Sequence, residues 1–187
     1  MAVEIGKKES TIHEGQHDWR TMKHCSTRQL LILRHAKARK DLPVKDRERP
    51  LADEGRDDLR RVATAAAQAG LLPELVLCSP ALRARETATL FLVAAGIDPD
   101  VLFDELIYAG VANDLPRLLG SVPEQVQCVM LVGHNPDLED LVRRLCGDRK
   151  RCSALHPGAL AVFEVTGPWR EISAKTAGFK ELIDPRA

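Results

Sequence analysis

"LLILRHAKARKD", residues 30–41, passes from an apolar run straight into two adjacent basic residues. Leu30 to Leu33 form a short, uninterrupted apolar run, the pattern of a strand buried on both faces in a parallel sheet. The run stops on Arg34 and His35, two basic groups side by side at the point where a buried strand meets solvent. Residues 75–78 (LVLC), 101–103 (VLF), 128–132 (CVMLV) and 159–163 (ALAVF) read as further strands of the same kind. Helical patterns lie between them. Leu59, Val62, Ala63 and Ala66 recur at helical spacing before Gly70. Ala81, Ala84, Ala88, Phe91, Leu92 and Ala95 do so before Gly96, and Leu138, Leu141, Val142 and Leu145 before Gly147. This alternation predicts an α/β fold, a three-layer α/β/α sandwich with a mostly parallel sheet. "GALAVFEVTGPWREISAKT", residues 158–176, reads as two strands joined at Gly167 and Pro168, giving an antiparallel edge.

The 187 residues suit one domain with a substantial core. Lys plus Arg and Asp plus Glu each number 27, so the net charge is zero and no nucleic-acid partner is expected. No run approaches the roughly 20 apolar residues that span a bilayer, so no membrane partner is expected either. Five cysteines, an odd number with two in strand-like runs, read as reduced thiols of a cytoplasmic protein. Residues 1–28 lack the apolar centre of a secretory signal and contain acidic groups foreign to a transit peptide, so they are expected to form a flexible N-terminal extension. His13, His17 and His24 lie in it with no cysteine or carboxylate spacing to make a metal site. The domain is expected to span residues 29–187.

The strand assignment gives the reactive side chains one address. Arg34 and His35 follow the first strand, Ser79 to Arg83 the second, Asp104 and Glu105 the third, and Gly133, His134 and Asn135 the fourth. Ligands of open α/β sheets bind outside the carboxyl ends of strands, so these sets should converge. Two arginines and two histidines with a nearby carboxyl make a cationic pocket, and arginine's planar fork suits phosphoryl oxygens. A phosphate ester or phosphoamidate is the natural guest. Pro136 opens a helix behind "GHNPDL", whose N-terminus adds to the anion site. Fixed arginines can stabilise phosphoryl transfer without a metal, and a neutral imidazole can serve as nucleophile.

"LILRHAKA", "CSPALRARETA" and "LVGHNP", in this order and at these strand ends, resemble the histidine phosphatase superfamily, related to phosphoglycerate mutase. The small size and "RPLADEGR" most resemble its SixA-type phosphohistidine phosphatases. The likeness spans about residues 29–176. It implies a phosphoglycerate mutase-like fold and a metal-independent phosphatase in which His35 is the phosphorylated nucleophile while Arg34, Arg83 and His134 hold the phosphoryl group. It further implies Arg49 of "RPL" and Asn135 as substrate-binding residues, and Glu105, with Asp104 as alternative, as proton donor. No cofactor is expected. The expected partner is a phosphorylated protein substrate, a histidine-transfer domain or a phosphocarrier protein. The superfamily usually has glycine after its first histidine; Ala36 stands there in this chain.

Rival readings are weaker. His35, His134 and Glu105 could form a two-histidine, one-carboxylate metal site, but Arg34 and Arg83 would repel the cation. Cysteine phosphatases need an arginine six positions after the cysteine, and none of the five has one. "DPDVL" at 98–102 half resembles an aspartate-nucleophile motif but follows a helix and Gly96. A small-molecule phosphomonoesterase of the same superfamily and a non-catalytic phosphoprotein-binding module remain as alternatives, and the motif intervals leave a mutase little room for an enclosing lid. Glu86 and Thr87 read as structural. "KARKDLPVKDRERP", residues 37–50, carries six cations and three anions and could attract an acidic partner.

Overall fold

The computed structural model describes residues 27–109, 114–147 and 154–187. The expected extension lies outside the described residues except for Thr27 and Arg28, and Arg28 already opens the first strand. The strands are β1 (Arg28–Arg34), β2 (Leu75–Cys78), β3 (Asp100–Phe103), β4 (Cys128–Gly133), β5 (Leu160–Val165) and β6 (Ala177–Ile183). The helices are α1 (Asp53–Gln68), α2 (Leu82–Ala95), the short α3 (Leu115–Gly120) and α4 (Asp137–Cys146).

The sheet runs β3-β2-β4-β1-β5-β6. β1, β2, β3 and β4 pair in parallel, while β5 is antiparallel to both β1 and β6. The mostly parallel sheet with an antiparallel edge is therefore present. The layers follow from the two-residue period of the strands. Leu30 and Ile32 of β1 with Val129 and Leu131 of β4 point to the face covered by α3 and α4, where they meet Leu138, Leu141 and Leu145. Leu31 and Leu33 with Met130 and Val132 point to the other face, onto Leu59, Val62 and Ala66 of α1 and Phe91 of α2. The central strands are buried on both sides, and each leucine so enclosed contributes about 1.5–3 kcal/mol relative to exposure. α2 stops at Gly96, whose φ of 71° is the left-handed conformation that suits a residue without a Cβ. No described helix is long and apolar enough to cross a membrane.

The edge differs in one respect from the sequence reading. The second strand does not directly follow Pro168: Trp169–Glu171 forms a 3₁₀ turn and β6 begins at Ala177. Trp169 accounts for the shift. It is fully buried and donates its indole N–H to the Val126 carbonyl at 2.9 Å, so it plugs the core beneath α3 instead of extending the sheet. The chain's end is fastened by Asp184, whose carboxylate meets His156 and Arg186 at 3.0 Å each. The bond from Arg186 leads in holding the Asp184 pKa down to about 2. The cysteine reading needs correction as well. Cys78 and Cys128 are free and buried, but Cys146 is disulfide-bonded. The expectation rested on the odd count and on the apolar settings of Cys78 and Cys128, neither of which bears on a cysteine at a helix end.

Candidate active site

Strand register builds the site. Arg34, the last residue of β1, lies opposite Gly133 of β4, and Cys78, the last of β2, lies opposite Val132. The next residues of all three strands thus emerge together. His35 N–H donates to the Gly133 carbonyl and Ser79 N–H to the Val132 carbonyl, each at 3.0 Å. The rings of His35 and His134 end with centroids 5.0 Å apart. Gly133 is required at the exit of β4, because a Cβ there would sit 2.8 Å from the Ile107 side chain.

The protonation of His35 follows from its neighbours. Its Nδ1 lies 2.8 Å from the Ala36 carbonyl oxygen, which can only accept, so Nδ1 carries the hydrogen and Nε2 keeps the lone pair. Nε2 faces the cleft and receives the Arg83 Nε–H at 3.3 Å. Burial, aided by the charges of Arg83, Arg34 and Arg49 and opposed by the Ala36 bond, lowers the His35 pKa to about 4. His134 is lowered to about 3, again mainly by burial, with His35 and Arg83 adding to it. Both imidazoles are neutral at pH 7, as a nitrogen nucleophile must be.

Ala36, the departure from the resembled pattern, sits after His35 without strain, since no described non-glycine residue has a positive φ. It is buried, and its N–H donates to Thr87 Oγ1 at 3.1 Å, while that hydroxyl donates to the Arg83 carbonyl at 2.6 Å. Thr87 thereby ties the turn carrying His35 to the helix carrying Arg83. Glu86, also read as structural, accepts from Leu51 N–H and Arg56.

Arg34, His35, Arg49, Arg83, His134 and Asn135 line one cleft of about 1020 Å³. Arg34 and Asn135 both donate to the Leu155 carbonyl, at 2.8 and 3.0 Å. Arg34 Nε, His134 Nδ1 and Asn135 Oδ1 are buried without a protein hydrogen-bond partner, three such atoms on adjacent cleft residues. Glu105 is placed elsewhere. It is not among the cleft-lining residues, and its carboxylate receives Arg47 at 2.5 and 3.1 Å on the exposed rim. Asp104 caps the turn after β3 by accepting from Leu106 N–H at 2.8 Å. Arg47 also lies over the Tyr108 ring, which makes a T-shaped contact with His134 at 5.8 Å between centroids. Among the described residues no group of three or more His, Cys, Asp or Glu is placed to hold a metal ion.

Ser79, which the sequence reading already set among the residues after β2, has a definite partner, and Asp46 is the participant that reading missed. Ser79 is fully buried and its Oγ lies 2.7 Å from His134 Nε2, fixing that ring. Asp46 meets Arg83 and Arg49 beside His35. Its signal was the three-residue spacing to Arg49, which does not reveal the contact with Arg83. The basic segment is also less cationic than its composition suggests: Lys37 pairs with Glu54, Arg39 with Asp41, Arg47 with Glu105 and Arg49 with Asp46.

Comparison with known proteins places the chain in a family. The sequence profile of the histidine phosphatase superfamily (branch 1) matches residues 30–107. An uncharacterised chloroplastic protein of Arabidopsis thaliana is 30% identical over 159 residues, covering 79% of this chain and 72% of that one. The structure of a protein from Nakamurella multipartitia, assigned as a phosphohistidine phosphatase SixA, is 29% identical with a TM-score of 0.70, covering 86% of this chain and 98% of that one. A chain from Agrobacterium tumefaciens with the same assignment is 27% identical with a TM-score of 0.73, covering 84% and 98%.

Proposed function

We propose a function from one premise: the chain belongs to the histidine phosphatase superfamily and is a phosphatase of SixA-like structure. In our reading it removes the phosphoryl group from a histidine of a phosphorylated protein. His35 Nε2 attacks phosphorus, the bond from phosphorus to the substrate imidazole breaks, and that imidazole, already protonated on its other ring nitrogen, departs as a neutral ring. Water then attacks the phosphorylated His35, releasing inorganic phosphate and restoring the ring. Arg34, Arg49, Arg83, His134 and Asn135 bind the phosphoryl oxygens, and the arginines supply positive charge that needs no metal. The first step exchanges one P–N bond for another of the same kind and so lies near thermal balance.

The observation that carries this reading is the presentation of His35 Nε2, with its lone pair and a neutral ring, beside Arg83 in a cleft bordered by charged groups. Lys37, Arg39, Lys40, Asp41, Asp53 and Arg56 line the outer cleft. Such a lining suits a polar protein surface that delivers a phosphorylated side chain better than a small metabolite that must be enclosed. Two relatives assigned as phosphohistidine phosphatases support the same substrate class. The test compares kcat/KM for a phosphorylated histidine-transfer domain, a phosphocarrier protein and a panel of phosphomonoesters, with His35→Ala as blank. The protein substrates should lead. Faster turnover of sugar phosphates than of every phosphohistidine protein tried would identify a small-molecule phosphomonoesterase instead.

A further inference from the structure

Asp46 stands where the chemistry just described would place an oxyanion. Its carboxylate bridges the guanidinium group that touches the reacting nitrogen, Arg83, and that of Arg49. Oδ1 accepts from Arg49 Nε at 2.9 Å and Nη2 at 2.5 Å, and Oδ2 accepts from Arg83 Nη2 at 3.0 Å. The main-chain oxygen of Asp46 takes Arg83 Nη1 at 2.7 Å, while Arg83 Nε points at His35 Nε2. Both terminal nitrogens of Arg83 are thus engaged by one residue. A phosphoryl group on His35 Nε2 lies against the same guanidinium and needs the same fork.

We propose that Asp46 is an affinity-setting residue of the phosphoryl site, an internal anion that competes with phosphoryl oxygens for Arg83 and Arg49 and swings aside when a substrate binds. The inference rests on the phosphoryl-site reading above. Which partner moves is decided by burial: the Arg83 side chain is 7% exposed and that of Asp46 is 56% exposed. The carboxylate has solvent to turn into, and the arginine has no such exit. The main-chain bond from Arg83 does not depend on the carboxylate, so the segment can stay docked while the side chain turns away. Free phosphate must displace the carboxylate with only its own few contacts. A phosphoprotein brings additional surface to offset that cost, so Asp46 favours the bulky substrate and hastens release of the product.

The competing account makes Asp46 a brace that holds the two arginines upright, and it predicts the opposite sign. The experiment is calorimetric titration of the full chain with inorganic phosphate at neutral pH. It uses the wild type, Asp46→Asn, Asp46→Glu and, as a remote charge control, Asp57→Asn, whose residue pairs with Arg60 on the exposed face of α1. Asp46→Asn should bind phosphate roughly tenfold more tightly, the loss of one charge-assisted competitor. Asp46→Glu keeps the charge and should stay within about threefold of wild type, and Asp57→Asn within about twofold. Unchanged or weaker binding by Asp46→Asn overturns the proposal, as does equal tightening in Asp46→Glu or Asp57→Asn. Failure of every variant, wild type included, to bind phosphate would overturn the phosphoryl-site reading itself.

Discussion

Acidification from pH 7 to pH 5 should destabilise the folded chain through the two site histidines. In the unfolded chain an imidazole titrates near ~6.5, so at pH 5 it is almost wholly protonated. In the folded protein His35 and His134 stay neutral down to about 4 and about 3, burial being the main cause for each. The unfolded state therefore binds more protons over this interval. Stability is full above the unfolded pKa and is lost as pH falls from there towards the folded values. The lowered values amount to about 2 kcal/mol for each ring between pH 7 and pH 5, and partial exposure trims the pair's total to about 3 kcal/mol. Urea unfolding at the two pH values gives the loss directly. The double variant His35→Gln, His134→Gln retains every other titrating group, so subtracting its loss from that of the wild type isolates the pair. A difference under about 0.5 kcal/mol would refute the view that these rings are held neutral by burial among arginines.

Other outcomes follow from the same geometry. Quenched turnover should leave an acid-labile, base-stable phosphoryl adduct on the wild type and none on His35→Ala, and an active His35→Ala would remove the covalent route. Arg83→Lys keeps a charge but loses the fork that reaches His35 Nε2 and Asp46, so kcat/KM should fall about tenfold or more; a change under twofold would assign binding to other groups. Chelators should leave the rate unchanged, and loss restored by zinc or manganese would favour a metal mechanism. Glu105→Gln, at a carboxylate paired with Arg47 on the rim, should cost less than about threefold with a phosphohistidine protein, and a hundredfold fall would make Glu105 the proton donor after all.

The parallel strands were legible because a strand enclosed on both faces must be apolar throughout, which "LLIL" and "CVMLV" are. Their polar sequels, Arg34 with His35 and His134 with Asn135, followed once those strands had ends. The edge was harder. Trp169 has the side chain of a strand residue, yet its burial beneath α3 and its bond to Val126 are tertiary facts that local pattern does not encode. Asp46 was hidden for a related reason. Its spacing to Arg49 is local, but its contact with Arg83 spans 37 residues and exists only because the segment after His35 folds back over α2. Glu105 sits at the expected strand end, but its pairing with Arg47, 58 residues earlier in the basic segment, is a tertiary contact that local pattern does not encode.

The fastening of the chain's end has a practical consequence for handling the protein. Arg186 holds Asp184, which holds His156, and the Pro185 carbonyl accepts from Arg61. Two residues beyond His156, Gly158 N–H donates to the main-chain oxygens of both Arg34 and His35. A purification tag or fusion partner attached after Ala187 would pull on a strap whose other end is knotted to the backbone of His35. Biochemists preparing this chain should therefore compare any C-terminally tagged form with its cleaved counterpart before trusting its turnover numbers.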